Sequence, residues 1–214
     1  IGHVARYEAD HLKAKALLER GAIGQLKMGY HAIVGPYPAW STNNWLGDAS
    51  LSGGPVLDLA IHSVDSLMWF FNQPIVSVYA SGSRPGSQNN RKNHYVQINL
   101  QFANAGLGLV EASWAHPTQM PQNCRVELSG DQGRIAWDYP QISALKTWQN
   151  DVGAKEYVME GENSFAAQIA DFVRCIQYDL PVPIPASAGA AALRVCLAAL
   201  ESLETGQCIA LPEE

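Results

Sequence analysis

The sequence predicts an α+β domain, a large, mostly antiparallel open sheet with helices packed on one face. Three observations carry this. From Ile75 to about Trp148 the chain runs in short, partly alternating apolar segments separated by turn signals. Two longer segments with helical spacing close the chain, and a third, opened by Gly53-Gly54-Pro55, precedes the strands. Strands joined by such short turns pair antiparallel, which argues against repeated βαβ units.

Residues 1 to 6 read as a short strand. Residues 11 to 20 form a charged amphipathic segment ended by Gly21, and residues 25 to 34 a strand broken by Gly35-Pro36-Tyr37-Pro38. An aromatic loop with Trp40 and Trp45 runs on to Ser52. Pro55 suits the first turn of the next helix, where its missing N–H costs nothing. Leu57, Ile61, Val64, Met68 and Phe71 recur at helical spacing as its buried stripe, and Gln73-Pro74 ends it. Strands are expected at 75 to 81, 94 to 103, 106 to 115, 122 to 129, 133 to 138 and 142 to 149. Turns fall at Arg84-Pro85-Gly86, Asn104-Ala105-Gly106 and Gly130-Asp131-Gln132-Gly133. The closing helices span 164 to 178, with Phe165, Ile169, Phe172 and Ile176 on one face, and 187 to 204, ended by Thr205-Gly206; the Pro-rich link between them is a stiff connection.

A chain of 214 residues with 47% hydrophobic and 16% charged content has apolar material for one core. Its net charge of -6, with no basic cluster, argues against a nucleic-acid footprint. The apolar stretch from Pro55 to Phe71 is interrupted by Asp58, His62 and Asp65, so no membrane span is expected, and no signal peptide is visible. Cys124, Cys175, Cys196 and Cys208 form no C-x-x-C pair, so free thiols in a cytoplasmic protein are expected. The chain begins with Ile1 and not with methionine, and the expectation is of a fragment of a longer protein.

Asp58, His62 and Asp65 stand at i, i+4 and i+7, which places a carboxylate, an imidazole and a second carboxylate along one helical face. One account is structural: Asp58 favours the positive end of the helix dipole and pairs with His62, while Asp65 is solvated or hydrogen-bonded nearby. The other is functional, because histidine takes a proton near neutral pH and a carboxylate one turn away can orient it or hold a substrate hydroxyl. A metal site is a third account, but three ligands on one helix face rarely converge on one ion, so none is expected.

The run from Ser52 to Asp65, S-G-G-P-V-L-D-L-A-I-H-S-V-D, resembles the G-G-x-x-x-D-x-x-x-H-x-x-D signature of the glucose-fructose oxidoreductase, inositol dehydrogenase and rhizopine catabolism family, Gfo/Idh/MocA. Two further stretches are similar to the same family. One is Ile1 to Tyr7 with Lys13-Ala14-Lys15 and Gly21-Ala22-Ile23-Gly24. The other is Phe165, Gln168, Asp171-Phe172-Val173 and Glu201 to Gly206. The resemblance implies the C-terminal domain of an NAD- or NADP-dependent dehydrogenase acting on a sugar, polyol or related hydroxy compound, with residues 1 to 6 a remnant of the preceding nucleotide-binding domain. It implies His62 as the acid/base residue, Asp58 as its orienting or substrate-binding partner, and Asp65 as structural support. Arg6 is a candidate substrate or cofactor contact, or else a surface ion-pair partner. The family's pairing of subunits through the open sheet face implies a homodimer or homotetramer.

The departures are that no G-x-G-x-x-G follows a strand and no Glu-Lys-Pro occurs, so the cofactor-binding residues are unknown and this chain alone is expected to bind no cofactor and be inactive. Trp40, Asn43, Asn44 and Trp45, just before the signature helix, suit a sugar ring by stacking and hydrogen bonding, or a loop anchored in the core or at a subunit contact. Of these, Asn44 and Trp45 are the substrate-binding candidates. His94, His116 and Trp114 read as packing residues. A different class remains open, a noncatalytic binding or assembly module that keeps the fold and the Asp58/His62 pair.

Overall fold

The computed structural model describes residues 1–83, 94–139, 145–150, 153–158 and 163–212. A 3-10 turn, Val4–Tyr7, leads into α1 (Ala9–Glu19), and β1 (Leu26–Pro36) follows. The aromatic loop contains a 3-10 segment, Thr42–Gly47, and a single turn, α2 (Ala49–Ser52). A π-helical turn, Val56–Ala60, then runs directly into α3 (Ile61–Phe71). Seven strands come next: β2 (Ile75–Ser83), β3 (Tyr95–Phe102), β4 (Leu107–His116), β5 (Asn123–Gly130), β6 (Gly133–Tyr139), β7 (Leu145–Gln149) and β8 (Gly153–Tyr157). The chain closes with α4 (Ser164–Gln177), α5 (Ala186–Thr205) and β9 (Ile209–Ala210).

The nine strands form one sheet in the order β8-β7-β6-β5-β1-β4-β3-β2-β9. Within β2–β4 and within β5–β8 consecutive strands pair antiparallel as expected, but β4 and β5 do not pair: β1 lies between them, antiparallel to β5 and parallel to β4. That insertion joins the β2–β4 meander to the β5–β8 meander, and it needs a strand distant in sequence, which no local turn signal announces. Expected residues 142–144 of β7 lie outside the described residues, as does the Arg84-Pro85-Gly86 turn. The short strands β8 and β9 at the two edges carry no clear alternation and were not expected.

The residues expected as a first strand, 1 to 6, instead coil into the 3-10 turn. Both His3 and Arg6 reach Asp65 on α3 while Ala5 is buried, and a turn with three-residue periodicity puts positions 3 and 6 on one side where a strand would split them. The helix expected from Pro55 also differs. Gly53 and Gly54 take φ of +74° and +70°, and the π-turn shifts the buried face to Val56, Ala60, Val64, Leu67 and Phe70, leaving Leu57, Ile61 and Met68 only half-buried. A Cβ on Gly53 would overlap the Leu57 side chain. Gly53→Ala is therefore expected to cost at least about 1 kcal/mol, seen as a lower urea midpoint; an unchanged midpoint would show that the turn relaxes freely.

The core lies between the sheet and α1, α3 and α5. Gly29 of β1 lets Leu67 and Phe71 of α3 approach, Phe71 stacks on Phe102 at 3.9 Å, and the Ser202 hydroxyl of α5 accepts from the Ala80 N–H of β2. Helix α5 is long and apolar enough to match a membrane span by length and composition, yet Ala192, Val195, Cys196 and Ala199 are buried in this core. The opposite sheet face carries Met28, Leu107, Tyr79 and Trp148 among polar side chains, and all four are exposed. Helix α4 forms as expected, capped by the Asn163 side chain, but its apolar face is turned to solvent: Phe165, Ile169, Phe172 and Ile176 are 56–67% exposed.

Candidate active site

Because β1 and β4 are parallel, both end at the same edge of the sheet, at Val34–Pro36 and Ser113–His116. The π-turn lies over that edge. Its wider ring, in which the Ile61 N–H reaches back to the Val56 carbonyl, brings Asp58 against Trp114 at the end of β4. The Trp114 indole, on a residue expected only to pack, lies close enough to the Asp58 carboxyl to favour its charged form. Tyr37 stands edge-on to Trp114 and stacked on His94, with ring centroids 6.3 and 5.7 Å away.

His62 is one turn further on, at the start of α3. The His3 ring meets it edge-on at 5.9 Å, and among the described residues its Nδ1 is buried without a hydrogen-bond partner. Burial, reinforced by the nearby His3, holds the imidazole below the usual histidine range, and Asp58 and Asp65 only partly oppose this. Burial also pushes the Asp58 carboxyl above the usual carboxylate range, against the pull of His62 and the Trp114 indole. An imidazole whose charged form is disfavoured, one helical turn from a carboxyl group, can accept a proton that the carboxyl helps to orient.

Asp65 faces the other way along α3. It is 1% exposed and accepts two hydrogen bonds from Arg6, at 2.8 Å from Nε and 2.6 Å from Nη2, while His3 Nδ1 lies 2.7 Å from Oδ1. Burial alone would raise its pKa, but the hydrogen bonds from His3 and Arg6 outweigh it and hold the carboxyl below the usual range. Of the two readings of Arg6, substrate or cofactor contact and surface ion pair, the structure shows an ion pair, but one turned inward onto Asp65, because the turn at Val4–Tyr7 folds the guanidinium onto α3, where it also lies over Trp69. Asp65 is neither solvated nor free.

The loop candidates divide. Asn44 accepts a hydrogen bond from the Tyr37 hydroxyl at 3.0 Å and so is tied to the aromatic wall that reaches Asp58; both Asn43 and Asn44 take φ of +54°. Trp45, 47% exposed, makes no ring contact with that wall among the described residues. Tyr37, His3 and Trp114 were not singled out for the site. A buried indole must find an acceptor, which was a usable signal for Trp114; the other two carried none.

Nearby, the His31 ring is fully enclosed, and burial, together with His11 and His62, holds it well below the usual histidine range. A depressed histidine contributes stability that is full above its unfolded value near 6.5 and is lost as pH falls toward the folded value. Stability should therefore drop by up to about 1.4 kcal/mol per pH unit for this group below pH ~6.5. Urea titrations at several pH values read the slope, and a His31→Phe chain with the same slope would assign it elsewhere.

The sequence matches the GFO/IDH/MocA C-terminal domain over residues 11–136. It is 26% identical over 220 residues to myo-inositol 2-dehydrogenase of Thermotoga maritima, covering 99% of this chain and 64% of that protein. It is 23% identical over 212 residues to inositol 2-dehydrogenase 3 of Saccharopolyspora erythraea, covering 98% of this chain and 60% of that protein. The chain thus spans less than two thirds of the length of these relatives. The fold is that of a levoglucosan dehydrogenase solved with NADH, at a TM-score of 0.83 and 19% identity over 99% of this chain and 65% of that one. It is equally that of an aldose-aldose oxidoreductase from Caulobacter crescentus complexed with glycerol, at 0.82 and 20% over 99% and 63%. With the match extending over more than half its length, from within α1, across the Asp58/His62 helix and into β6, the chain belongs to the family of GFO/IDH/MocA C-terminal domains.

Proposed function

We propose that this chain is the substrate-binding and subunit-contact domain of an NAD- or NADP-dependent oxidoreductase acting on a sugar, polyol or related hydroxy compound. The observation that carries the reading is the Asp58/His62 pair at the end of β1 and β4, with an imidazole whose buried Nδ1 has no partner among the described residues and whose proton affinity is depressed. No G-x-G-x-x-G occurs after a strand in the sequence, and this reading places the dinucleotide site elsewhere in the protein. The cofactor is therefore assigned to the part of the longer relatives that this chain does not match, and when bound there it would supply the hydride acceptor for the carbinol carbon. This chain supplies the rest: His62 takes the hydroxyl proton, Asp58, beside Trp114, orients the imidazole or the hydroxyl, and Asn44 and Trp45 close over the substrate from the loop.

Two surfaces support the reading. Helix α4 turns its apolar face outward beside a groove of about 280 Å³ lined by Ile1, Tyr7, Gln168, Phe172 and Ile184, which suits the cofactor-binding part that the longer relatives contain. The open sheet face, with Met28 and Leu107 side by side in register, suits a homodimer or homotetramer. The four cysteines are free thiols, and burial pushes those of Cys124 and Cys196 up to about 12. The lack of a G-x-G-x-x-G favours one other reading, a noncatalytic assembly module. Calorimetric titration with NAD and NADP separates them: binding by an upstream-extended form and not by the 214-residue chain is expected. Tight binding by the short chain would refute the division of labour, and no binding by either form would favour the module.

A further inference from the structure

Four side chains outside the Asp58/His62 pair form a polar line through the core. Glu8, at the head of α1, places Oε2 3.2 Å from Nδ1 of His11, an ion-pair distance at an angle that makes no hydrogen bond. His11 Nε2 lies 3.3 Å from His31 Nε2 on β1, and His31 Nδ1 lies 2.9 Å from the Ser63 hydroxyl on α3. Both rings and Ser63 are at most 1% exposed, whereas the Glu8 side chain is 46% exposed. Polar groups this deep are costly unless each is matched. The line therefore needs a reason, and it ends one residue from His62.

With one proton on each ring, the negative charge of Glu8 favours one arrangement. A carboxylate facing a neutral imidazole meets an N–H, so His11 carries its proton on Nδ1 and turns the lone pair of Nε2 toward His31. His31 must then carry its proton on Nε2 and donate to His11. That leaves His31 Nδ1 as an acceptor, and the Ser63 O–H donates to it. The reverse order would set a lone pair against the Glu8 carboxylate. Aromatic walls hold the His11 ring in place, Phe70 stacked at 5.7 Å and Trp137 edge-on at 5.1 Å. The other ionisable groups around the line are Asp10 on α1, Cys124 on β5, His3 and Arg6 on the 3-10 turn, Asp58 on the π-turn, and His62 and Asp65 on α3. With burial keeping His31 from a second proton, the direction of the line is set at the Glu8 end.

We propose that Glu8, His11 and His31 are positioning residues for His62: through Ser63 they pin the first turn of α3 to β1, and they transmit the state of the surface carboxylate to the turn that carries His62. The importance of His62 rests on the function proposed above; the proton order of the line does not.

Long-range 15N spectra of the histidine rings in the 214-residue chain read the tautomers directly. At pH 7 His11 is expected in its Nδ1–H form, the less common one for a free imidazole, and His31 in its Nε2–H form, each by about ten to one or more. Glu8→Gln, whose amide can donate or accept, is expected to abolish the preference at both rings, although His11 stands between Glu8 and His31. Ser63→Ala is expected to shift the His62 ring resonances, and Ser63→Thr to restore them. Reversed or evenly mixed tautomers in the parent would overturn the proposal, as would a Glu8→Gln effect confined to His11 or His62 resonances unmoved by Ser63→Ala. Should Ser63→Ala fail to fold, the parent and Glu8→Gln spectra decide. No redox activity is read in these spectra, so an extended protein without turnover would refute the role of His62 and leave the line intact.

Discussion

His62→Ala in the complete enzyme is expected to lower kcat/KM by about 10²- to 10⁴-fold, the usual contribution of a positioned general base. Stability should change far less, by no more than about 1–2 kcal/mol, because the ring is only half-buried and the Nδ1 it removes has no partner among the described residues. The pH profile is the sharper reading. Burial and His3 depress the imidazole, so the base stays neutral below the ordinary histidine value, and the acid limb of kcat/KM should fall below pH ~6.5. Equal kcat/KM in mutant and parent would remove His62 from the mechanism. An acid limb above pH ~6.5 would assign the base to another group.

Arg6→Ala is expected to destabilise the 214-residue chain by about 3–5 kcal/mol, since it leaves the Asp65 carboxylate 1% exposed with only the His3 ring close by. Little of this comes from attraction in itself; it is the cost of a buried charge left without its hydrogen bonds. A chain carrying Arg6→Met and Asp65→Leu together should therefore lose less than Arg6→Ala alone. The depressed Asp65 also sets a sign: its contribution is present above the ordinary carboxylate value near 4 and disappears as pH falls through its lower folded value. Urea unfolding of both variants at pH 7 and in acid provides the comparison. A loss below about 1 kcal/mol for Arg6→Ala would mean that water screens the pair.

What could be read from the residues was local. Alternation and turn residues located β2 to β7 within a few positions, and helical spacing located α1, α3, α4 and α5. The spacing of Asp58 and His62 marked the candidate pair because it depends on one helical turn. Where the reading failed, the cause lay elsewhere in the chain. The stripe at Leu57, Ile61 and Met68 assumed an uninterrupted α-helix, and the π-turn rotated it by inserting a residue. Phe165, Ile169, Phe172 and Ile176 showed a helix but not what covers it, because periodicity reports an apolar face and not its partner.

By itself, then, the sequence determined the class of fold, the helix that carries Asp58 and His62, and the family resemblance, all of which rest on contacts within a few residues along the chain. Tertiary structure alone decided that β1 enters between β5 and β4, and that Arg6 closes on Asp65 across 59 positions. It also decided that His31 meets Ser63 across 32 and His11 across 20. Such pairings exist because a buried polar group must find a partner wherever the folded chain brings one, and no local pattern records where that will be.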